Sequence, residues 1–336
     1  MRVLVETHPR YQAHDTGPGH PERPARLDAV LAGLEASGAG EALVWAEPRP
    51  ATVEELARVH PRPHLEALER FCAAGGGRLD ADTSAVPGSW DAALLAAGAG
   101  PDAIERLDAG EAGAAFCAVR PPGHHATPDR SMGFCLLNNV AVAAAALADR
   151  GERVFVFDWD AHHGNGTQDA FYGDDRVLYV SAHQWPLYPG TGALSDTGAG
   201  AGAGLTLNLP FPAGTTGDVY LAAFDEVIAP AVEHFSPTWT IVSAGFDAHR
   251  ADPLTGLGLS ATDYADLTAR LLGLLPAARI LAFLEGGYDL QALALSAGAF
   301  VAALADVQFR PEAPTSGGPG RSVVDAVFRN RSEAPM

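Results

Sequence analysis

The 336-residue sequence has little cysteine, few basic residues and no long hydrophobic run. Its three cysteines (Cys72, Cys117 and Cys135) form no C-x-x-C pair, which disfavours a disulfide framework and favours the reducing cytoplasm. There are 22 Lys or Arg residues against 41 Asp or Glu, giving a formal net charge of −19. This balance disfavours nucleic-acid binding, because contacts to phosphates need basic side chains. No apolar segment reaches the length of about 20 residues that spans a bilayer, and the N-terminus meets a charge too early for a signal peptide.

Apolar residues nevertheless make up 47% of the chain, enough for a large core. Short apolar runs, such as residues 154–157 and 280–284, alternate with segments of helical character, such as 89–107 and 261–275. Strands that are apolar throughout and alternate with helices predict a parallel sheet covered on both faces. We predict one domain over residues 1–310, followed by a Pro/Gly-rich connector and C-terminal tail over 311–336.

A run of acidic and histidine residues follows the apolar segment 154–157. It reads Asp158-Trp159-Asp160-Ala161-His162-His163-Gly164-Asn165-Gly166. In an extended backbone alternate side chains share a face, so Asp158, Asp160 and His162 would form half of a divalent-cation site. Asp247, which ends another apolar run, is the natural further protein ligand. Three protein ligands leave a position open for water, as in catalytic zinc sites. Helix capping explains a single aspartate but not the whole run.

Two adjacent histidines, His124 and His125, follow an Arg-Pro-Pro-Gly turn. Histidine titrates near neutral pH, so the pair suits proton transfer. The residues that could orient the two rings are Asp158 and Asn165. A carboxylate partner raises the basicity of one imidazole, whereas an amide partner leaves the other closer to neutral.

Tyr288 follows Glu285-Gly286-Gly287 directly after an apolar run. The glycines let the backbone bend so that the phenol can point at a reacting carbonyl oxygen and stabilise the oxyanion. Spacing alone favours a core tyrosine equally.

These motifs together resemble the histone deacetylase superfamily, and most closely class II-type bacterial histone-deacetylase-like amidohydrolases and acetylpolyamine amidohydrolases. The resemblance covers residues 14–305 in the order of the family. The matching strings are His20-Pro-Glu-Arg-Pro-Ala-Arg26, Arg120-Pro-Pro-Gly-His-His-Ala126, Gly133-Phe-Cys135, residues 158–168, Ser243-Ala-Gly-Phe-Asp-Ala-His-Arg250 and Leu284-Glu-Gly-Gly-Tyr288.

The resemblance implies a three-layer, arginase-like α/β fold with a central, mainly parallel sheet of about eight strands flanked by helices. It also implies one catalytic Zn²⁺ on Asp160, His162 and Asp247. The ligand chemistry alone would accept Fe²⁺ or Co²⁺ as well.

The resemblance also assigns the catalytic roles. His125 would be the general base and later the acid, and His124 would assist electrostatically. Asp158 would support His124, and Asn165 would support His125. Tyr288 would polarise the acyl carbonyl.

The substrate tunnel follows from the same resemblance. Phe134 and Tyr188 would form its walls, Gly133 would contribute backbone, and Leu254 would lie at its floor or rim. Arg26 would line an internal cavity through which the acid product leaves.

Two tunnel positions depart from the family pattern. Many relatives have Phe where this chain has Tyr188. The polyamine-selective class II branch has Glu where this chain has Leu254. An acid from another loop, such as Asp80, Asp82 or Asp252, could still bind a cationic amine. Asp82 is the loop residue that we expect to contact substrate backbone.

The resemblance further implies a structural K⁺ near Asp158, Asp160, His162, Ser181 and Ala182, bound largely through backbone carbonyls. A second monovalent site near Phe171, Asp174 and Val177 is implied less strongly.

The function expected from these residues is zinc-dependent hydrolysis of an N-acetyl or short-acyl amine, such as an acetyl-lysine side chain on a peptide or small molecule. The alternatives are an acetylpolyamine amidohydrolase, a non-catalytic acyl-amine binding protein and a binuclear ureohydrolase. We expect no nucleic-acid or membrane partner, and the chain could form a homo-oligomer. Acyl-chain length and native metal stay open.

Overall fold

The computed structural model describes residues 1–274 and 279–333 of the chain. Its strands are β1 (Val3–Glu6), β2 (Leu43–Ala46), β3 (Gly77–Arg78), β4 (Ser84–Ala85), β5 (Ala114–Cys117), β6 (Val154–Asp158), β7 (Val177–Gln184), β8 (Thr206–Phe211), β9 (Trp239–Ala244) and β10 (Ile280–Leu284). Within the described residues, eight of these strands form one parallel sheet in the spatial order β2-β1-β5-β10-β9-β6-β7-β8. The short strands β3 and β4 pair antiparallel to each other, apart from this sheet.

Helices flank the sheet and connect its strands. They are α1 (Ala25–Ala36), α2 (Val53–Leu56), α3 (Arg62–Ala73), α4 (Ser89–Asp108), α5 (Asn139–Ala148), α6 (Asn165–Phe171), α7 (Gly217–Ala223), α8 (Ala229–Phe235), α9 (Ala261–Leu274), α10 (Leu290–Leu304) and α11 (Arg321–Glu333). A π-helical turn, Phe224–Ile228, joins α7 to α8. The predicted end of α9 at Leu275 lies outside the described residues.

The parallel sheet follows from the composition of its strands. β6, β9 and β10 are buried along their whole length, as strands covered on both faces must be. The predicted three-layer α/β fold with a central sheet of about eight strands is confirmed. β2 was not predicted; it lies at the sheet edge, where its residues are only partly buried and carry a weaker apolar signal.

The order of the central strands explains why the chemical motifs converge. β9 pairs with β6 on one side and with β10 on the other. β6 ends at Asp158, β9 leads directly into residues 245–247, and β10 leads directly into residues 285–288. In a parallel sheet all of these ends lie at one edge, which is where such folds form their sites.

The segment after residue 310 lies against the rest of the molecule. Glu312 accepts hydrogen bonds from His249 (2.7 Å) and Arg250 (2.7 Å), and the Thr315 hydroxyl donates to Asp263 (2.7 Å). α11 then buries Val324 and Val327 in the main core. The domain boundary at residue 310 stays a prediction, and residues 334–336 of the predicted tail lie outside the described residues.

In the part of the chain that the structure describes, we find no helix with the length and apolar character needed to cross a membrane.

Candidate active site

Three side chains from the loops after β6 and β9 group as a metal site would require. The ligand atoms of Asp160, His162 and Asp247 lie within 4.8 Å of one another, and all three residues are buried. Nδ1 of His162 lies 2.9 Å from Oδ2 of Asp247 and 3.1 Å from Oδ1 of Asp160. Two carboxylates and one imidazole are ligands that suit Zn²⁺ and similar divalent ions.

The surrounding backbone keeps space for these carboxylates and fixes their direction. The N–H of Gly286 donates to Oδ2 of Asp160 (2.8 Å), and the N–H of Ala161 donates to Oδ1 of Asp247 (2.7 Å). A Cβ at Gly245 would collide with the Asp160 carboxylate, and one at Gly286 would collide with that of Asp247. The donor set and the room around it fit a divalent cation.

The backbone of this motif is bent, contrary to the extended segment that we expected. β6 ends at Asp158, whose Oδ1 accepts from the N–H of Asp160 (3.2 Å). Oδ1 of Asp160 in turn accepts from the N–H of His162 (2.9 Å). Aspartates commonly close such turns on the residue two positions later. Asp160 and His162 therefore meet through successive turns, and Asp158 faces the histidine pair.

The histidine pair has the two different partners that were predicted for it. His124 Nδ1 lies 3.0 Å from Oδ2 of Asp158, and His125 Nδ1 lies 2.9 Å from Oδ1 of Asn165. The two rings are buried with their centroids 4.0 Å apart. The Asp158 carboxylate also accepts from the Tyr179 hydroxyl (3.2 Å), a contact from inside a buried strand that no sequence motif indicated.

The partners separate the proton affinities of the two rings. Burial alone would lower the pKa of His124, but the carboxylates of Asp160, Asp158 and Glu285 raise it well above its usual range. For His125, burial and the charges of His124 and His162 lower the pKa well below its usual range. One ring is thus suited to stay charged and its neighbour to stay neutral.

Glu285 supports the histidine turn, a role that the sequence did not indicate although the residue lay within a quoted motif. Its Oε2 accepts from the N–H of Gly123 (2.7 Å) and of His124 (3.2 Å). Burial raises the pKa of this carboxyl to about 7. The Glu285 side chain therefore ties the turn before His125 to the loop that carries Tyr288.

Tyr288 follows the Glu285-Gly286-Gly287 turn after β10 and is 9% exposed. The Arg26 guanidinium lies 5.0 Å from the centroid of its ring. Arg26 also donates to the carbonyls of Gly287 (2.6 Å) and Glu285 (2.5 Å). Burial raises the pKa of Tyr288 well above its usual range, so the phenol keeps its proton at neutral pH.

Glu22, Arg26 and Arg120 form a fully buried ion network. It links the segment before His124 to the loop that carries Tyr288. Glu22 accepts two hydrogen bonds from Arg120 (2.5 and 2.7 Å) and one from Arg26 (3.2 Å). The sequence strings contained all three residues, but no role was predicted for Glu22 or Arg120. The i,i+4 spacing of Glu22 and Arg26 is typical of an ion pair, but nothing in the sequence indicates that Arg120, 98 residues after Glu22, meets them.

Aromatic residues line the approach to the histidine pair. The Tyr188 ring lies perpendicular to that of His125, with centroids 5.1 Å apart, and the Phe134 ring lies 5.8 Å from that of Tyr288. Gly133 has a φ of 58°, and a Cβ there would lie 2.5 Å from the His125 ring. These contacts place Tyr188 and Gly133 beside His125, and Phe134 beside Tyr288.

The outer part of the approach is partly exposed. Tyr188 is 37% and Leu254 is 38% exposed, so solvent reaches both side chains. The place of Leu254 at the floor or rim of a tunnel stays a prediction. Asp82 accepts from the Thr83 hydroxyl (3.0 Å), and that hydroxyl accepts from the N–H of Phe134 (2.9 Å). Asp82 thus lies beside the wall residues.

Two of the predicted potassium ligands, Ser181 and Ala182, lie on β7, and Asp158 ends the neighbouring strand β6. Ser181 pairs with Asp158 in the sheet register, and its hydroxyl lies 2.9 Å from Nδ1 of His183. The carbonyl of Ala182 accepts from the Tyr220 hydroxyl (3.1 Å). Potassium binding by these residues stays a prediction.

Comparison with known proteins decides the family. The family model of the histone deacetylase domain matches residues 20–304 of the chain. The chain belongs to the histone deacetylase family. Membership of this family, together with relatives named deacetylase and amidohydrolase, supports a hydrolase of the deacetylase or amidohydrolase type.

Three relatives of the chain illustrate the range of the match. A probable deacetylase of Archaeoglobus fulgidus is 42% identical over 87% of the chain and 82% of its own length. The histone deacetylase-like amidohydrolase of Pseudomonas aeruginosa is 39% identical over 81% of the chain and 73% of its own length. Histone deacetylase 15 of Arabidopsis thaliana is 41% identical over 85% of the chain but only 52% of its own length.

A solved structure extends the match to three dimensions. The crystal structure of the HDA15 HD domain superposes with a TM-score of 0.91 at 36% identity, covering 99% of this chain and 94% of that one. The arginase/deacetylase-like architecture is therefore the fold of this chain.

Proposed function

We propose that this chain is a zinc-dependent amidohydrolase that removes an acetyl or other short acyl group from an amine at the end of a flexible alkyl chain. The observation that carries the proposal is the convergence of three elements at one sheet edge. These are the Asp160–His162–Asp247 cluster, the His124–His125 pair with its two different partners, and the buried phenol of Tyr288.

Asp160, His162 and Asp247 would hold the metal. When bound, a divalent ion of this kind polarises the acyl oxygen and makes water a usable nucleophile at neutral pH. His125, whose ring stays neutral, accepts the proton of the attacking water and later gives it to the leaving amine. Charged His124 assists electrostatically beside it, and the Tyr288 hydroxyl donates a hydrogen bond to the oxyanion.

The walls of the approach suit an alkyl chain. Phe134 and Tyr188 present aromatic faces, and Gly133 lets the chain pass close to the backbone beside His125. Asp82 and the hydroxyl of Tyr188 are the polar groups that would meet the amide or amine of a substrate outside the tunnel. An acetyl-lysine side chain, presented by a peptide or a small molecule, fits these features. Arg26 would contact the departing acid.

An acetylpolyamine is the second substrate class that we consider. The net charge of −19 would raise the local concentration of a cationic substrate. Leu254 at the rim offers no carboxylate, so a loop acid such as Asp82 would have to bind the cationic amine. A binuclear ureohydrolase is disfavoured, because within residues 1–274 and 279–333 Asp160, His162 and Asp247 are the one set of His, Cys, Asp or Glu side chains that groups this tightly.

The test is kcat/KM of zinc-loaded protein on acetyl-lysine peptides, N-acetylputrescine and N-acetylspermidine, with Asp247→Ala as the blank. A strong preference for peptides establishes a lysine deacylase. A preference of about 100-fold for the polyamines, roughly 2.7 kcal/mol, would make the chain an acetylpolyamine amidohydrolase. Binding of all three substrates without turnover would contradict both and favour a non-catalytic binding protein.

We also propose a structural K⁺ near Asp158, Ser181 and Ala182. Removing K⁺ from the buffer should then lower the thermal unfolding temperature, and replacing it with Na⁺ should restore only part of the loss. An unfolding temperature that is the same with and without K⁺ would contradict this site.

A further inference from the structure

Asp252 is a nearly buried carboxylate, 8% exposed, in the loop between β9 and α9. Its Oδ2 accepts from the backbone N–H of Tyr288 (2.8 Å), and its Oδ1 accepts from the backbone N–H of Leu254 (2.9 Å). It is not a member of the Asp160–His162–Asp247 cluster. We propose that Asp252 is a positioning residue that fixes the Tyr288 phenol and the tunnel rim relative to each other. This inference rests on the proposed function.

The loop that carries Tyr288 needs such an anchor. Gly287, the residue before it, has a φ of 119°, which glycine adopts readily because it has no Cβ. For the same reason this peptide unit can change conformation easily when nothing restrains it. Arg26 restrains one side, through the Gly287 carbonyl and the face of the phenol ring. Asp252 restrains the other side through the Tyr288 N–H. Between them the two residues decide where the hydroxyl points.

Accurate placement of that hydroxyl matters for the reaction. An oxyanion donor acts only within about 2.7–3.1 Å of the developing charge. A misplacement of about 1 Å can cost on the order of 100-fold in rate. A carboxylate that holds the backbone of the donor therefore affects kcat without touching substrate.

The second oxygen of Asp252 shapes the rim. Its bond to the N–H of Leu254, two residues later, closes a turn of the kind that aspartate favours. Pro253 between them has a fixed φ and no N–H of its own, which stiffens this turn. Leu254 is thereby held at the tunnel mouth by the same carboxylate that holds Tyr288.

The first experiment compares Asp252→Asn in the wild-type and Tyr288→Phe backgrounds. An amide keeps one accepting oxygen and replaces the other by an N–H₂ group, so one of the two contacts is lost. We expect kcat to fall about 10- to 100-fold in the wild-type background. In the Tyr288→Phe background the same change should alter kcat less than about twofold, because no hydroxyl is left to misplace. Zinc content per chain should stay unchanged.

Asp263→Asn is the matched control. Asp263 is fully buried and accepts from the N–H groups of Ser260 (2.8 Å) and Thr315 (3.2 Å), where α9 meets the C-terminal segment. Its substitution should lower the unfolding temperature and leave kcat unchanged. Equal losses of kcat from Asp252→Asn in both backgrounds, or a loss of stability alone, would overturn the positioning role.

Two further measurements keep the inference testable if Asp252→Asn folds poorly or if the wild-type protein lacks the proposed activity. Replacing Tyr288 by 4-hydroxyphenyllactic acid removes its backbone N–H and keeps the phenol; it should lower kcat as Asp252→Asn does. Crystal structures of Asp252→Asn and Asp263→Asn should show the Tyr288 ring displaced only in the first. An unmoved ring overturns the inference, whereas wild-type protein that hydrolyses no acyl amine overturns the proposed function instead.

Discussion

Two buried charged clusters lie on either side of the Tyr288 loop, and their charge balance is opposite. In the first, the carboxylates of Asp160 and Asp247 converge on the single imidazole of His162. In the second, one carboxylate, Glu22, faces two guanidinium groups, Arg26 and Arg120. Acids are in excess in the first cluster and bases in the second.

The difference lies in how each excess is compensated. The spare guanidinium donors of the Glu22 network reach backbone carbonyls, those of Gly287 and Glu285 from Arg26 and those of Tyr11 and His14 from Arg120. That network is complete within the protein. In the acid-rich cluster the backbone N–H groups of Gly286 and Ala161 also reach the carboxylates, but two carboxylates still share one imidazole. A bound divalent cation would balance this remaining charge, because an uncompensated buried charge is very unfavourable. The first cluster is therefore suited to chemistry and the second to holding the loops in place.

Breaking the Glu22 network should have the largest effect. Glu22→Ala leaves two buried guanidinium groups without their carboxylate, and removing one partner of a buried ion pair typically costs about 3–5 kcal/mol. We expect a loss of that size in the free energy of unfolding, measured by urea denaturation.

Glu226→Ala is the matched control for this loss. Glu226 also binds an arginine, Arg321, through two hydrogen bonds (2.6 and 2.5 Å), but its side chain is 41% exposed. It should change the free energy of unfolding little. Similar losses from the two variants would mean that burial of the Glu22 network contributes nothing particular.

Tyr288→Phe tests the catalytic side of the comparison. The variant removes one oxyanion donor and leaves the ring, so kcat should fall about 100- to 1000-fold. The free energy of unfolding and the zinc content should stay close to wild type. Full activity of this variant with its metal bound would contradict the mechanism.

The pH dependence of stability sharpens the same comparison. Burial would raise the pKa of Glu22, but Arg120, His14 and Arg26 together lower it from 4.5 to about 2. A carboxyl whose pKa is depressed in the folded state stabilises the protein above its unfolded pKa and loses that contribution as pH falls toward its folded pKa. We therefore expect about 3 kcal/mol of stability to disappear between pH 4.5 and 2.

Urea denaturation across this pH range checks the expectation. In Glu22→Gln the titrating carboxyl is gone, so the slope of stability against pH should become shallower by about one proton below pH 4.5. An unchanged slope would show that other carboxyls cause the acid sensitivity.

Much of the fold could be predicted because the signals were local. Apolar runs, such as residues 154–157 and 280–284, marked the central strands β6 and β10. α11 could not be predicted in the same way. Its mean hydropathy is low, and its helix is stabilised by packing Val324 and Val327 against distant parts of the chain.

The same distinction between local signals and long-range contacts applies to the residues of the site. Recognisable motifs contained the candidate metal ligands Asp160, His162 and Asp247. They also contained His124, His125 and Tyr288. The supporting contacts of Tyr179, Glu22 and Asp252 join residues far apart in sequence. A single sequence contains no signal for such contacts, because they depend on which strands become neighbours.

Zinc-dependent amide hydrolysis is tested most directly by a metal titration of chelator-treated protein, followed together by calorimetry and by deacetylation of an acetyl-lysine peptide. We expect one Zn²⁺ per chain to restore full activity, and we expect Asp247→Ala neither to bind that ion tightly nor to regain turnover. Activity that survives complete removal of the metal, or equal zinc affinity in Asp247→Ala, would contradict this expectation.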